Sequence, residues 1–242
     1  MIRQTALALL LAAVGASAHA TTVSQWNFNS LPADTSLSTG SNLPSIGSGT
    51  ASTVGSITAA FGSGASNGGS SDPATSDDTG WQTTGYASQG NGNKSNGVQF
   101  NVSTVGYENI VIGYDLRHSN TSSRYEQVQY SLDGVTFNDI ALFSGDAGDT
   151  WFNGRSVDLS AITGVADNAS FAFRVVSAFA PSSSAYAAAN GASTYATTGT
   201  WRFDMVTING TAIAPIPEPK NGAMLLAGLG LMGLIVRRRS SR

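Results

Sequence analysis

The side chains able to do chemistry in this sequence are few, and most of them offer oxygen. Carboxylates gather in two short segments, Asp72, Asp77 and Asp78 in one and Asp146 and Asp149 in the other. Oxygen-only donors suit Ca²⁺, which takes about six to eight ligands from carboxylates, amides and backbone carbonyls. A structural calcium at these aspartates is the cofactor expectation. Neither segment has the regular alternation and closing Glu of an EF-hand loop, and the plainer account of both is turn chemistry, which Asp favours. Zinc is not expected, because the chain has no Cys and only His19 and His118. His118 sits in Arg117-His118-Ser119-Asn120-Thr121 and reads as an exposed loop histidine at a strand end. No G-x-S-x-G turn accompanies it, so no catalytic residue is assigned. Glu108 and Glu126 are the only Glu residues of the middle segment, with Asp115 nearby. Two such carboxylates held about 5–9 Å apart in a groove would suit glycoside hydrolysis. Sugar rings stack on aromatic faces. Trp81, Tyr86, Trp151, Tyr186 and Tyr195 fall in or beside apparent loops, whereas Trp26 and Trp201 fall in apparent strands and read as core. Trp151, just after Asp146-Ala147-Gly148-Asp149, is the candidate ligand platform.

The elements that must position these residues read as strands. Apolar residues alternate with period two at Trp26/Phe28, at Val98/Phe100/Val102 and at Ile110/Ile112/Tyr114/Leu116. The same period recurs at Val128/Tyr130/Leu132, at Phe171/Phe173/Val175 and at Trp201/Phe203/Met205, leading into Val206 and Ile208. Asp133-Gly134 joins Gln127–Leu132 to Val135–Ile140 and predicts a tight hairpin. Ser30–Ser52, Ser63–Asn96 and Pro181–Thr200 are rich in small and polar residues and read as long loops. About eight to ten short strands with long loops predict an all-β, antiparallel β-sandwich over residues 21–214.

Composition agrees. Only 11% of the 242 residues are charged, 41% are hydrophobic and 28 are Gly. Without Cys the core must hold unaided by disulfides. Between Thr21 and Ala214 there are fourteen acidic and six basic residues, a net of −8. That argues against a nucleic-acid partner, which needs clustered Lys and Arg.

Both ends read as addresses. Residues 1–20 carry Arg3, an apolar run from Ala6 to Val14, and small residues Ala18 and Ala20 around His19. This is the pattern of a signal peptide, a short helix cut by signal peptidase after Ala20. Residues 215–242 carry Pro217-Glu218-Pro219, an apolar run from Ala223 to Val236, then Arg237, Arg238 and Arg239. As a helix that run spans about 21 Å, short of a ~30 Å hydrocarbon core, and the arginines would stay cytoplasmic.

Motif, apolar helix and basic cluster in this order resemble the PEP-CTERM sorting signal of Gram-negative bacteria. The resemblance implies transient inner-membrane insertion, recognition and removal of the tail by an exosortase, and delivery to the cell envelope or extracellular matrix of an exopolysaccharide producer. Separately, Tyr130-Ser131-Leu132-Asp133-Gly134 with Phe137, and Trp201-Arg202-Phe203-Asp204 through Gly210, resemble the jelly-roll modules of secreted bacterial proteins. That implies a jelly-roll-like fold without an activity. The functional expectation is a non-enzymatic structural or adhesive surface protein binding polysaccharide. The alternative is a polysaccharide-active hydrolase or lyase on the same fold.

Overall fold

The computed structural model describes residues 19–74 and 76–214. The segment read as a sorting tail, and all but His19 and Ala20 of the segment read as a signal peptide, lie outside the described residues. Among the described residues no helix is long and apolar enough to cross a membrane.

Among the described residues twelve strands form two antiparallel sheets. In chain order they are β1 (Ala20–Trp26), β2 (Ile46–Gly47), β3 (Thr50–Val54), β4 (Thr58–Ser63), β5 (Thr79–Thr84) and β6 (Gly97–Asn101). They continue as β7 (Tyr107–His118), β8 (Tyr125–Ser131), β9 (Asn138–Ser144), β10 (Thr150–Asp158), β11 (Ala172–Ala178) and β12 (Trp201–Ala212). The seven-stranded sheet runs β10-β7-β12-β1-β2, and β5 followed by β4 joins the remaining part of the β12 edge. The five-stranded sheet runs β3-β6-β11-β8-β9. The expectation of an antiparallel β-sandwich is met. The strands exceed the eight to ten expected, and β2 and β5 lie in segments that read as loop. Ser63–Asn96 in fact holds β5, whose Trp81 is buried.

The alternation predicted from sequence defines the inner faces. Ile110, Ile112, Tyr114 and Leu116 of β7 and Trp201, Phe203, Val206 and Ile208 of β12 all face inward and are buried. Opposite them stand Val98 and Phe100 of β6, Val128 of β8, and Phe173 and Val175 of β11. Phe100 is the hub between the sheets. Its ring lies 5.1 Å from Trp26, 6.4 Å from Trp81 and 5.0 Å from Phe173, centroid to centroid. These are the offset and edge-on distances at which aromatic pairs add to simple burial.

The Asp133-Gly134 hairpin exists but is not tight. β8 stops at Ser131 and β9 begins at Asn138. The Asp133 carboxylate accepts hydrogen bonds from the amides of Val135 (2.8 Å) and Thr136 (2.6 Å). The side chain thus organises a wider turn than a two-residue loop allows. Those amides hold the Asp133 carboxyl well below the usual carboxylate range.

Phe100→Ala removes the aromatic bridge between the sheets. It should cost about 3–5 kcal/mol, measured by urea unfolding of the full chain.

Candidate functional site

Three places combine polar groups in a way that could serve function: the outer face of the seven-stranded sheet, one end of the core, and the outer face of the five-stranded sheet.

On the first face, β12 controls the geometry. Its pairing with β7 shifts register between Asp204 and Thr207, and Met205 adopts a left-handed φ of 46° at that point. Asp204 stands outside, opposite Asp115 of β7. The connection from β4 to β5 folds over this surface. Ser71 N donates to Asp115 Oδ2 (2.6 Å), and Ser70 Oγ donates to Asp204 Oδ2 (2.7 Å). Asp204 Oδ1 accepts from Met205 N (2.7 Å). The same connection delivers Asp72 and Asp78, so that one carboxylate oxygen from each of Asp72, Asp78 and Asp204 lies within 4.8 Å of the others. Asp204 is fully buried and Asp78 is 6% exposed, yet Asp78 Oδ1 has no hydrogen-bond partner among the described residues. Burial, and then the charge of Asp72, pushes the Asp78 carboxyl up to about 6. Burial also lifts Asp204 well above its ordinary value.

Of the five aspartates singled out in the sequence, only Asp72 and Asp78 meet. Asp77 turns the other way and accepts from the amides of Ser30 (3.3 Å) and Asp34 (3.1 Å). Asp149 takes Arg117 Nη2 (2.6 Å) and Asn120 Nδ2 (2.7 Å), and Asp146 is exposed. Asp204 was visible only as part of a strand motif.

The aromatic candidates do not form a platform. Trp151 lies on β10 rather than in a loop, and only 8% of it is exposed. Its Nε1 donates to Ser66 O (2.8 Å) under the 3₁₀ turn Ser66–Gly68. Trp81, Tyr86, Tyr186 and Tyr195 are also buried, and the last two stack at 4.6 Å with their hydroxyls on backbone carbonyls.

His118 is likewise not a loop residue. It ends β7 and is fully buried between the sheets, edge-on to Phe152 and Trp201. Its Nδ1 lies 2.9 Å from Ser123 O, and its Nε2 lies 3.6 Å from Glu126 Oε1. Glu126 is fully buried as well. It accepts from Tyr114 Oη (2.9 Å) and from Arg155 Nε (2.9 Å), and Arg155 also bonds Ser144 O (2.8 Å) and lies over Phe143 and Phe152. These groups resemble acid–base machinery in type, but the core closes around them. Glu108 is exposed near the start of β7, whereas Glu126 meets Tyr114 and His118, six and ten residues further along that strand, about 20–30 Å away at ~3.3 Å per residue. The carboxylate pair needed for glycoside hydrolysis is therefore not assembled from them.

The outer face of the five-stranded sheet carries a row the sequence reading missed. Ser52, Gln99, Arg174, Gln129 and Asp139 occupy the same rung on β3, β6, β11, β8 and β9. Arg174 Nε donates to Gln99 Oε1 (2.7 Å) and Gln129 Nε2 to Asp139 Oδ1 (2.9 Å). Lys94 pairs with Asp139, and Phe137 lies beneath the Arg174 guanidinium at 3.6 Å. At ~4.8 Å per strand the row spans about 19 Å. The signal for it was present: Gln99, Arg174 and Gln129 are the polar members of strands whose apolar members fill the core.

Fold and sites together define an antiparallel β-sandwich with a buried acidic cluster on one outer face and a polar rung across the other. No protein-family model matches the chain, and no curated protein does. Among solved structures, the tandem CBM22-1–CBM22-2 domain of Paenibacillus barcinonensis Xyn10C aligns with 85% of this chain and 50% of its own, at 12% identity and a TM-score of 0.45. The CBM22-1–GH10 modules of a Clostridium thermocellum endo-1,4-beta-D-xylanase, complexed with xylohexaose, align with 69% of this chain and 27% of their own, at 13% identity and a TM-score of 0.42. A xylan-binding domain from CBM 22 aligns with 69% and 89%, at 14% identity and a TM-score of 0.40. The chain thus spans half or less of the first two. Likeness at this level fixes neither a shared fold nor a shared ligand.

Removing Glu126 would strand the Arg155 charge. Glu126→Ala should destabilise by about 3–5 kcal/mol in urea unfolding. Arg155→Met combined with Glu126→Leu, which removes both charges, should recover most of that loss.

Proposed function

We propose that this chain is an exported, non-enzymatic, jelly-roll-like β-sandwich that binds polysaccharide at the cell surface or in the extracellular matrix. The reading rests on one observation, the polar rung across the five-stranded sheet. Amides, a guanidinium and a carboxylate in one row offer donors and acceptors in fixed planes, the groups that orient hydroxyl-rich ligands. The rung is mixed in charge, which suits a neutral or weakly charged glycan better than a polyanion. In this reading residues 1–20 are removed by signal peptidase. The Pro217-Glu218-Pro219 tail passes through the inner membrane to an exosortase, with Arg237 to Arg239 on the cytoplasmic side.

Affinity electrophoresis of the purified chain in gels cast with the host's exopolysaccharide tests the binding. Retardation is expected, and Arg174→Ala with Gln129→Ala should weaken it at least tenfold with little change in thermal midpoint. Release of reducing ends, or unchanged retardation in the double variant, would sink the proposal. Intact mass of the protein from envelope and medium checks the sorting. Loss of residues 1–20 and a cut near Pro217-Glu218-Pro219 is expected, whereas an inner-membrane species keeping Met224 to Arg242 would leave a simple anchored domain.

A further inference from the structure

We infer that Asp72, Asp78 and Asp204 hold one calcium ion that latches the β4–β5 connection onto β12. The inference does not depend on the polysaccharide reading. Three carboxylates converge within 4.8 Å, and among the described residues none of them has a Lys, Arg or His nitrogen within 4.0 Å. Arg202, two residues before Asp204, is committed to Ser63 O and Gln82 Oε1. Buried like charges without a counter-ion are expensive, so the site must take up protons or a cation. The second, independent sign is Asp78 Oδ1, a nearly buried acceptor with no donor, directed toward the Asp204 carboxylate: a Cβ added at Gly64 would strike Asp78 Oδ1 and would stand 2.9 Å from Asp204 Oδ2. The oxygens of the other two carboxylates, Asp72 and Asp204, are held in place. Asp72 takes Asn29 Nδ2 (2.9 Å) and Ala74 N (2.8 Å), and Asp204 takes Ser70 Oγ and Met205 N.

The donor chemistry selects the ion. All three ligands are hard oxygens and no His or Cys joins them, which disfavours zinc. Two of the three lie on an irregular connection rather than a regular octahedral frame, which suits calcium better than magnesium. The latch has a structural meaning. The connection it secures caps Trp151 through Ser66 O, and Asn153 Nδ2 bonds Gly69 O (3.1 Å). With the ion in place the whole cover is tied to the strand that joins both halves of the sheet.

The test uses the full-length chain in detergent, freed of metal by chelator and dialysis. Calcium titrated calorimetrically at pH 7.5 should fill one saturable site per chain. At a hundredfold excess over the dissociation constant the thermal midpoint should rise by about 5–10 °C. Asp78→Asn and Asp204→Asn should abolish both signals. Metal-free Asp78→Asn should melt no lower than the metal-free parent at pH 7.5, because it relieves a buried like charge; this separates a lost site from a lost fold. The pH response carries a second readout. The groups facing the site are Asp72, Asp78, Asp204 and, across the strand pair, Asp115, with Arg202 on the β5 side. A carboxyl whose folded value is raised stabilises the fold below its unfolded value. Without metal, stability should therefore fall as pH rises from about 4 to 6, while the calcium-induced rise should grow over the same range. No calcium-dependent shift at ~10 mM would overturn the inference and leave a proton-sharing cluster. A shift that survives both substitutions would place the ion elsewhere, and an equal shift with magnesium would overturn the choice of calcium.

Discussion

One edge of β12 has two partners, and much of the molecule follows from that division. Its opening residues pair with β5 and its later residues with β1, while β7 follows it along the other side. Between the stretch of β12 paired with β5 and the stretch paired with β1, the ladder with β7 on the opposite edge shifts register. The break comes after Asp204, where Met205 accepts a conformation worth roughly 1–3 kcal/mol of strain in a residue other than Gly. Burial of Trp201 and Phe203 on one side of the break and of Val206 and Ile208 on the other holds it in place. The bulge returns both halves of the strand to the core and leaves Asp204 facing outward beneath the β4–β5 connection. Acidic cluster, cover and sheet branching are thus parts of one local arrangement.

The core answers a different electrostatic problem. Glu126 is buried, but its charge is met by Arg155 and by the Tyr114 hydroxyl, and the aromatic rings of Phe143 and Phe152 shelter the guanidinium. The same burial, helped by the Glu126 charge, holds the Tyr114 phenol protonated far beyond neutral pH. The two clusters make a useful contrast. In one, a buried carboxylate is neutralised by the protein itself; in the other, three carboxylates share a space with nothing positive in contact among the described residues.

The sequence disclosed the strands whose inner residues are large. The alternations at Val98–Val102, Ile110–Leu116, Phe171–Val175 and Trp201–Phe203 all mark core. β3, β4 and β5 stayed hidden because Thr50–Val54 and Thr58–Ser63 carry mostly small residues, and β5 has only Trp81 to signal burial. His118 was legible in retrospect, since two steps beyond Leu116 fall on the same inner face; its polar neighbours in sequence concealed the parity. Trp151 misled for the opposite reason, since a Gly- and Asp-rich lead-in hid the start of β10. The acidic cluster was only half legible. Asp72 and Asp78 are close in sequence, but Asp204 lies on another element, with its bonding partner Ser70 134 residues away. Local spacing has no access to such a pairing.

The pairing of β1 with β12 sets the order in which the domain can be finished. Ala20 lies opposite Thr211, and Thr22 bonds Asn209 across 187 residues of chain. The first strand made is therefore completed by the last. Such long-range closure is slow, because its loop entropy is spent before its contacts form. Under the proposed export, a chain crossing the membrane N-terminus first would carry β1 across as an open strand edge until residues 201–212 had followed. During that interval an open edge invites pairing with other chains. Its seven residues are mainly small and polar, ATTVSQW, with Trp26 as the single large ring. A strand of that composition waits for its partner with little apolar surface to offer a stranger.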